Sequence, residues 1–231
     1  MGCAVCGETM LSHTSAEGRP RYSSVPLGVR SLGVSSIDRA IELVAPYCDI
    51  VDRLKVVPPS AQTRGVWIRN VEKQVERRGV LTAYRQYFPH DRYGALPHYP
   101  LSDFLIRLAC AGALVASPEH VHDGMFLITK GNAESFMETI LGRIMLRVLS
   151  RDPVRLLEQG MAARRQGFTY GHWELRRHSE REVEVVHQNE YWWIESGVAG
   201  AAAGMFEACN IVAQTETKLI DRFNGSTFCR W

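Results

Sequence analysis

Gln166-Gly-Phe-Thr-Tyr-Gly-His-Trp-Glu-Leu175, Glu182-Val-Glu-Val-Val-His187, Ile211 to Ile220 and Ser226 to Trp231 decide the fold. Residues alternate from Phe168 to Leu175, with Phe168, Tyr170 and His172 on one side and Trp173 and Leu175 on the other. Val183 and Val185 repeat the pattern after the polar break His178–Arg181. Period two with aromatic and β-branched residues is the signature of half-buried strands. Between the second and third strands, Gly197-Val-Ala-Gly-Ala-Ala-Ala-Gly-Met-Phe-Glu-Ala-Cys209 predicts a helix that lets another element approach closely, with Asn210 as a left-handed stop. Asn224-Gly225 predicts the turn of the last hairpin. The order is strand, strand, helix, strand, strand, and the upstream helices are expected to cover one face of that sheet.

Upstream, Ser35 predicts the cap of a helix to Val44. Cys48–Val57, apolar at every second or third residue, predicts an extended edge segment. Thr63 predicts the cap of a helix carrying Val66, Trp67, Val71 and Val75, with Gly79 as its stop. A helix over Val80–Phe88 and a loop over Pro89–Pro100 follow. Ser102 is expected to cap a central helix, Asp103–Val115, apolar nearly all round. Pro118–Gly131 predicts a helix bearing His120 and His122. Ala133–Ser150 predicts the longest helix, its stripe including Met137 and Met145. Asp152-Pro153 ends it, and a final short helix reaches Arg165. Arg155, Arg164 and Arg165 are assigned to a solvated face.

The 231 residues are 45% hydrophobic and 23% charged, with a formal net charge of +2. That describes one globular domain over 34–231 with an N-terminal arm over 1–33, and the charge is too small to argue for nucleic acid. No apolar run is long enough for a membrane span, and the first residues lack a basic region followed by an apolar stretch, so no secretory signal is expected. Six scattered cysteines indicate a reduced, cytoplasmic protein. Cys3-Ala-Val-Cys6 and His13 are the metal candidates. The same arm offers a redox pair and an acylation start at Met1-Gly2-Cys3, and an inert tail is the expectation over metal, redox or lipid. No cofactor follows from these residues.

Several short motifs resemble a family: Thr63-Arg-Gly-Val-Trp67, Tyr99-Pro-Leu-Ser-Asp-Phe-Leu105, Gly142-Arg143, Asp152-Pro-Val-Arg-Leu-Leu157, Tyr170-Gly171, Gly204-Met-Phe-Glu-Ala208 and Phe228-Cys-Arg-Trp231. In order and spacing they are similar to an uncharacterised myxobacterial paralogue family, over about Cys48 to Trp231. That family is itself similar to the 4-vinyl reductase domain, the haem-type nitric-oxide-binding domain and the TRAPP Bet3-like subunits. The resemblance implies an α+β fold with helices on one face of a four-stranded antiparallel sheet. It also implies frequent dimers and an apolar pocket between helices and sheet. The haem-binding relatives hold the propionates with Tyr-x-Ser-x-Arg. This chain has Tyr22-Ser23-Ser24 and no match in its core, so the resemblance carries no haem site.

Three functional expectations follow. In the first, a non-catalytic regulatory module binds a small hydrophobic molecule, with Tyr99, Phe104, Met137, Met145, Trp173, Trp193 and Phe206 lining its pocket. The same side chains can instead simply fill a close-packed core. In the second, the chain is a homodimer or an assembly subunit engaging a protein partner. Tyr191-Trp192-Trp193-Ile194 supports this, because consecutive aromatics are not expected to share one core. In the third, it is an enzyme using His98, His172 or Glu195. Nucleophile-elbow, dinucleotide and phosphate-loop motifs are missing, which argues against that reading.

Overall fold

The computed structural model describes residues 35–89, 92–137 and 152–231. The N-terminal arm with Cys3, Cys6 and His13 lies outside them, as do Met145 and most of the expected Ala133–Ser150 helix.

Ser35 begins the described chain as a capping box. Its hydroxyl accepts the Asp38 N–H while the Asp38 side chain accepts the Ser35 N–H. Helix α1 (Ser36–Val44) buries Ala40 and Val44. Cys48–Val57 is not extended: Ile50–Val56 forms α2, starting after Asp49 and turning Ile50 and Arg53 inward. The apolar spacing in that segment was compatible with either state. Thr63 does not cap a helix. It lies buried in a short strand, β1 (Gln62–Arg64), which pairs antiparallel with β2 (His98–Pro100). Arg64 takes the cap position, and α3 (Gly65–Arg77) ends at Gly79 with φ 73°. Helix α4 is short, Leu81–Arg85.

Helix α5 (Leu101–Val115) is the spindle of the helical layer. Ser102 does not cap it. Pro100 holds the cap position, and the Leu101 N–H bonds to the Ala61 carbonyl. Leu101, Phe104, Leu105 and Leu108 are completely buried, each contributing about 1.5–3 kcal/mol by leaving water. After a 3-10 turn at Pro118–His120, α6 runs from Val121 to Met137, so Ala133 is interior to a helix rather than its start. The α5 and α6 axes touch almost backbone to backbone: a β-carbon on Gly124 would overlap the Gly112 carbonyl. No single described helix is long and apolar enough to cross a membrane.

Asp152 caps α7 (Pro153–Gly167) by accepting the Val154 and Arg155 N–H groups. Phe168 and Tyr170 belong to the connection that follows, not to a strand. The sheet begins at His172, with β3 (His172–Ser179), β4 (Glu182–Gln188), β5 (Gln214–Asp221) and β6 (Asn224–Arg230). All neighbours are antiparallel, in the order β3-β4-β6-β5. Trp173, Leu175, Val183, Val185, Thr227 and Cys229 turn toward the helices, while the outer face carries pairs such as Arg230 with Glu182 and Glu216. Between the hairpins, a π-helical turn (Ile194–Val198) leads into α8 (Ala199–Ala208), and Asn210 stops it with φ 58°. The small residues of α8 serve α6, because β-carbons on Gly200 and Gly204 would meet the Phe126 and Lys130 carbonyls.

Asn224-Gly225 is not the turn of the last hairpin. Both residues are in β6, and the turn is Arg222-Phe223. Asp221 builds it, accepting the Phe223 N–H at 2.7 Å and the Asn224 amide at 3.0 and 2.9 Å. Gly225 is required for a different reason: a β-carbon there would lie 2.6 Å from the Lys218 carbonyl oxygen.

Candidate functional site

A cavity of about 500 Å³ opens between α3, α6, α7, α8 and the start of the sheet, within the range of small-molecule sites. Val66 and Trp67 of α3 form one side. Leu156, Ala162 and Ala163 of α7 face them, and Ala201 and Met205 of α8 complete the apolar wall. Its inner end is aromatic. Trp192 stacks on Phe168 at 5.7 Å and on Trp173 at 6.4 Å between centroids, and Phe104 braces the stack edge-on from the core. Polar groups are few: Arg64, Asn70, Thr129, Asn132, Gln159, Gln166 and Arg164. Arg64 Nε, Asn132 Oδ1 and Trp192 Nε1 are buried without a hydrogen-bond partner. A buried polar group without a partner costs about 1–3 kcal/mol.

Behind the aromatic end sits a buried ion pair. Arg164 is 3% exposed and Glu190 is fully buried. Glu190 Oε2 accepts from Arg164 Nε at 3.1 Å, Arg164 Nη2 at 2.6 Å and Trp173 Nε1 at 2.6 Å, while Oε1 accepts the Trp192 N–H at 3.4 Å. Arg164 Nη1 donates to the Tyr170 carbonyl at 3.0 Å. The guanidinium also lies 4.8 Å from the Trp173 ring and 5.1 Å from the Tyr170 ring. Arg164 therefore does not belong to a solvated face. It holds the aromatic end of the cavity in place. Burial drives the Tyr170 phenol well above its ordinary range, with the Glu190 charge adding to it.

His187 of β4 lies edge-on to Trp173 at 4.8 Å and shares a 3.0 Å hydrogen bond with Thr227, but its Nδ1 has no partner. Burial, reinforced by the Arg164 charge, pushes its imidazole down to about 3, so it is neutral near pH 7.

Of the side chains expected to line a pocket, Trp173 lines this cavity. Phe104 is fully buried behind it, and Phe206 packs on Trp231 at 5.0 Å against the sheet. Trp193 donates to Asp49 at 2.8 Å under Arg53, away from the cavity. Tyr99 accepts the Gly94 N–H and packs edge-on against Tyr93. The Met137 side chain and Met145 lie outside the described residues. Trp192 and Trp193 are both buried, while Tyr191 is half-buried. Their extended segment runs between two packed regions, so one ring enters the cavity wall and the other the α1–α2 side. Glu195 approaches His122 at 3.7 Å at the π-helical turn, while His98 and His172 are exposed on separate strands. Among the described residues, no three metal-ligating side chains converge.

A family model described as "Protein of unknown function (DUF2378)" matches residues 57–214, and the chain belongs to that family. No curated protein is significantly similar to it. Among solved structures, a variant of the Fe(II) unliganded H-NOX protein from K. algicida is similar with a TM-score of 0.57 at 13% identity, over 72% of this chain and 95% of that one. The parent H-NOX protein from K. algicida gives 0.54 at 14% identity over the same shares. The shared property is the fold. The described lining of the cavity does not fit an iron tetrapyrrole. It contains no histidine, cysteine or tyrosine, and Met205 is its one sulfur, whereas haem iron is held by such groups.

Proposed function

We propose that this member of the family is a non-catalytic regulatory module that binds a small, mostly apolar molecule in the cavity between α3, α6, α7 and α8. The observation that carries the reading is the cavity itself. Its volume is about 500 Å³, with aromatic and aliphatic walls and three lining residues that each hold a polar atom without a partner. A pocket of this size with a mostly apolar lining and an aromatic inner end falls in the range of small-molecule sites. The H-NOX-like fold supports the reading at the level of architecture. The described cysteines Cys48, Cys110, Cys209 and Cys229 are free thiols, which supports a reducing, cytoplasmic setting.

Native mass spectrometry of freshly purified protein, with an absorption spectrum of the same sample, tests the proposal. The expected result is a mass exceeding the chain or its dimer by one small molecule. A clean apo mass, together with no rise in melting temperature across a panel of apolar compounds, would overturn it.

A second reading, a homodimer, is favoured by β5. This edge strand carries Leu219 and the largely exposed Ile220, with the equally exposed Val212 just before it. An edge strand presents unpaired backbone groups, a template for pairing with another chain. Light scattering showing a monomer at high concentration would refute it.

A further inference from the structure

Within the proposed ligand-binding reading, on which this inference rests, we infer that the cavity selects an organic anion: an apolar body with one carboxylate-type head, anchored by Arg64. The argument begins with charge. Arg64 and Arg164 are the charged side chains among the described lining residues, and no aspartate or glutamate accompanies them. Arg164 is neutralised by Glu190, whose Oε2 already accepts three hydrogen bonds. Among the described residues that leaves the Arg64 cation without a countercharge at the cavity, and its partial burial favours an anion more than full exposure would.

Geometry adds to this. Arg64 is half-buried and its Nε has no partner. The planar fork of a guanidinium matches a carboxylate bidentately. The Arg64 backbone is fixed from both sides: it pairs with His98 across β1–β2 and stands at the start of α3. The charge is thus presented from a rigid support rather than from a loop. A cationic ligand would meet two arginines and no carboxylate. A fully apolar one would leave the Arg64 cation unpaired.

The test uses the full chain and two fluorescent probes that share a ring system: 8-anilinonaphthalene-1-sulfonate, an anion, and N-phenyl-1-naphthylamine, which lacks the sulfonate. Arg64→Gln should weaken the anionic probe by about tenfold or more, equivalent to about 1.4 kcal/mol, and change the neutral probe by less than about twofold. Arg64→Lys, which keeps the charge and loses the fork, should fall between. If Arg64→Gln weakens both probes equally, or neither, the anionic selection is wrong while the cavity stands. Ala201→Phe places a ring in the cavity and should abolish both probes. If both still bind that variant unchanged, the cavity reading itself fails.

Discussion

Replacing Glu190 by glutamine should destabilise this fold more than replacing Glu190 and Arg164 together. Glu190 is fully buried, and donors approach both of its oxygens: Arg164 and Trp173 on Oε2, and the Trp192 N–H on Oε1. Glutamine keeps one acceptor and must turn its NH₂ toward the other donor set. Arg164, 3% exposed, then retains the Tyr170 carbonyl but no countercharge. Breaking a buried pair from one side costs about 3–5 kcal/mol, because an uncompensated charge is left in a poor solvent. Most domains have only about 5–15 kcal/mol in total. Adding Arg164→Met removes that charge while keeping an unbranched apolar chain among Phe168, Tyr170 and Trp173. The double variant should regain roughly 2 kcal/mol relative to Glu190→Gln alone, because it no longer leaves a buried charge without a partner. Urea unfolding followed by tryptophan fluorescence provides the free energies of the parent, both single variants and the double variant, with Trp173 and Trp192 as reporters beside the pair. Strict additivity of the two single changes would refute the argument, since it would mean that Arg164 and Glu190 do not depend on each other.

Two further outcomes follow from other parts of the structure. The His187 imidazole is pushed from 6.5 down to about 3 in the fold, so the unfolded chain takes up a proton that the native state refuses. Its contribution is complete above pH 6.5 and is lost as pH falls from there toward 3, by up to about 1.4 kcal/mol per pH unit. Urea midpoints measured from pH 7 to pH 5 should decline less steeply in His187→Gln than in the parent chain, and equal slopes would sink the assignment. Gly204→Ala should lower the melting temperature, at a cost of about 1–3 kcal/mol, because its β-carbon meets the Lys130 backbone. Gly160→Ala should be nearly neutral, because only the flexible Met205 side chain stands in its way. Equal melting temperatures for the two variants would show that α6 and α8 can separate freely.

The sheet was legible because alternation survives in Val183, Val185 and the Thr215–Leu219 stretch, and because a glycine–alanine helix between two hairpins has few other uses. The Ser35 cap was legible because Asp38 completes the reciprocal bond three residues on. Local signals failed where a tertiary partner decides. Ile50–Val56 becomes helical to bury Ile50 and Arg53, and Arg53 reaches the Tyr191 and Trp192 carbonyls far along the chain. Thr63 is claimed by a strand whose partner is at His98–Pro100. Asn224-Gly225 was displaced by a turn that Asp221 assembles from its own side chain. The cavity was hardest to foresee. A cavity is a gap between elements, and periodicity reports faces rather than gaps. Trp173 could be read from its strand, whereas Trp192 and Phe168 lie in connections. Arg164 looked solvated because Glu190, 26 residues further on, carries no sequence sign that it is its partner.

The glycines where α6 meets its neighbours distribute stiffness unevenly around the cavity. Gly112 and Gly124 lock α6 to α5, Gly200 and Gly204 lock it to α8, and Gln74 of α3 donates to the Gly131 carbonyl at 2.7 Å. Contacts between main chains have no side-chain rotors to absorb displacement, so these helices behave mechanically as one block. Helix α7 meets α8 differently, through the pliable Met205 thioether lying over Gly160. Any change in the volume enclosed must therefore be taken up by α7. The last turn of α7 carries Arg164, clamped to Glu190 and to the Tyr170 carbonyl at the entrance to β3. The compliant wall of the chamber is thus the wall wired to the sheet, and α7 is the lever through which the size of an occupant would be felt there.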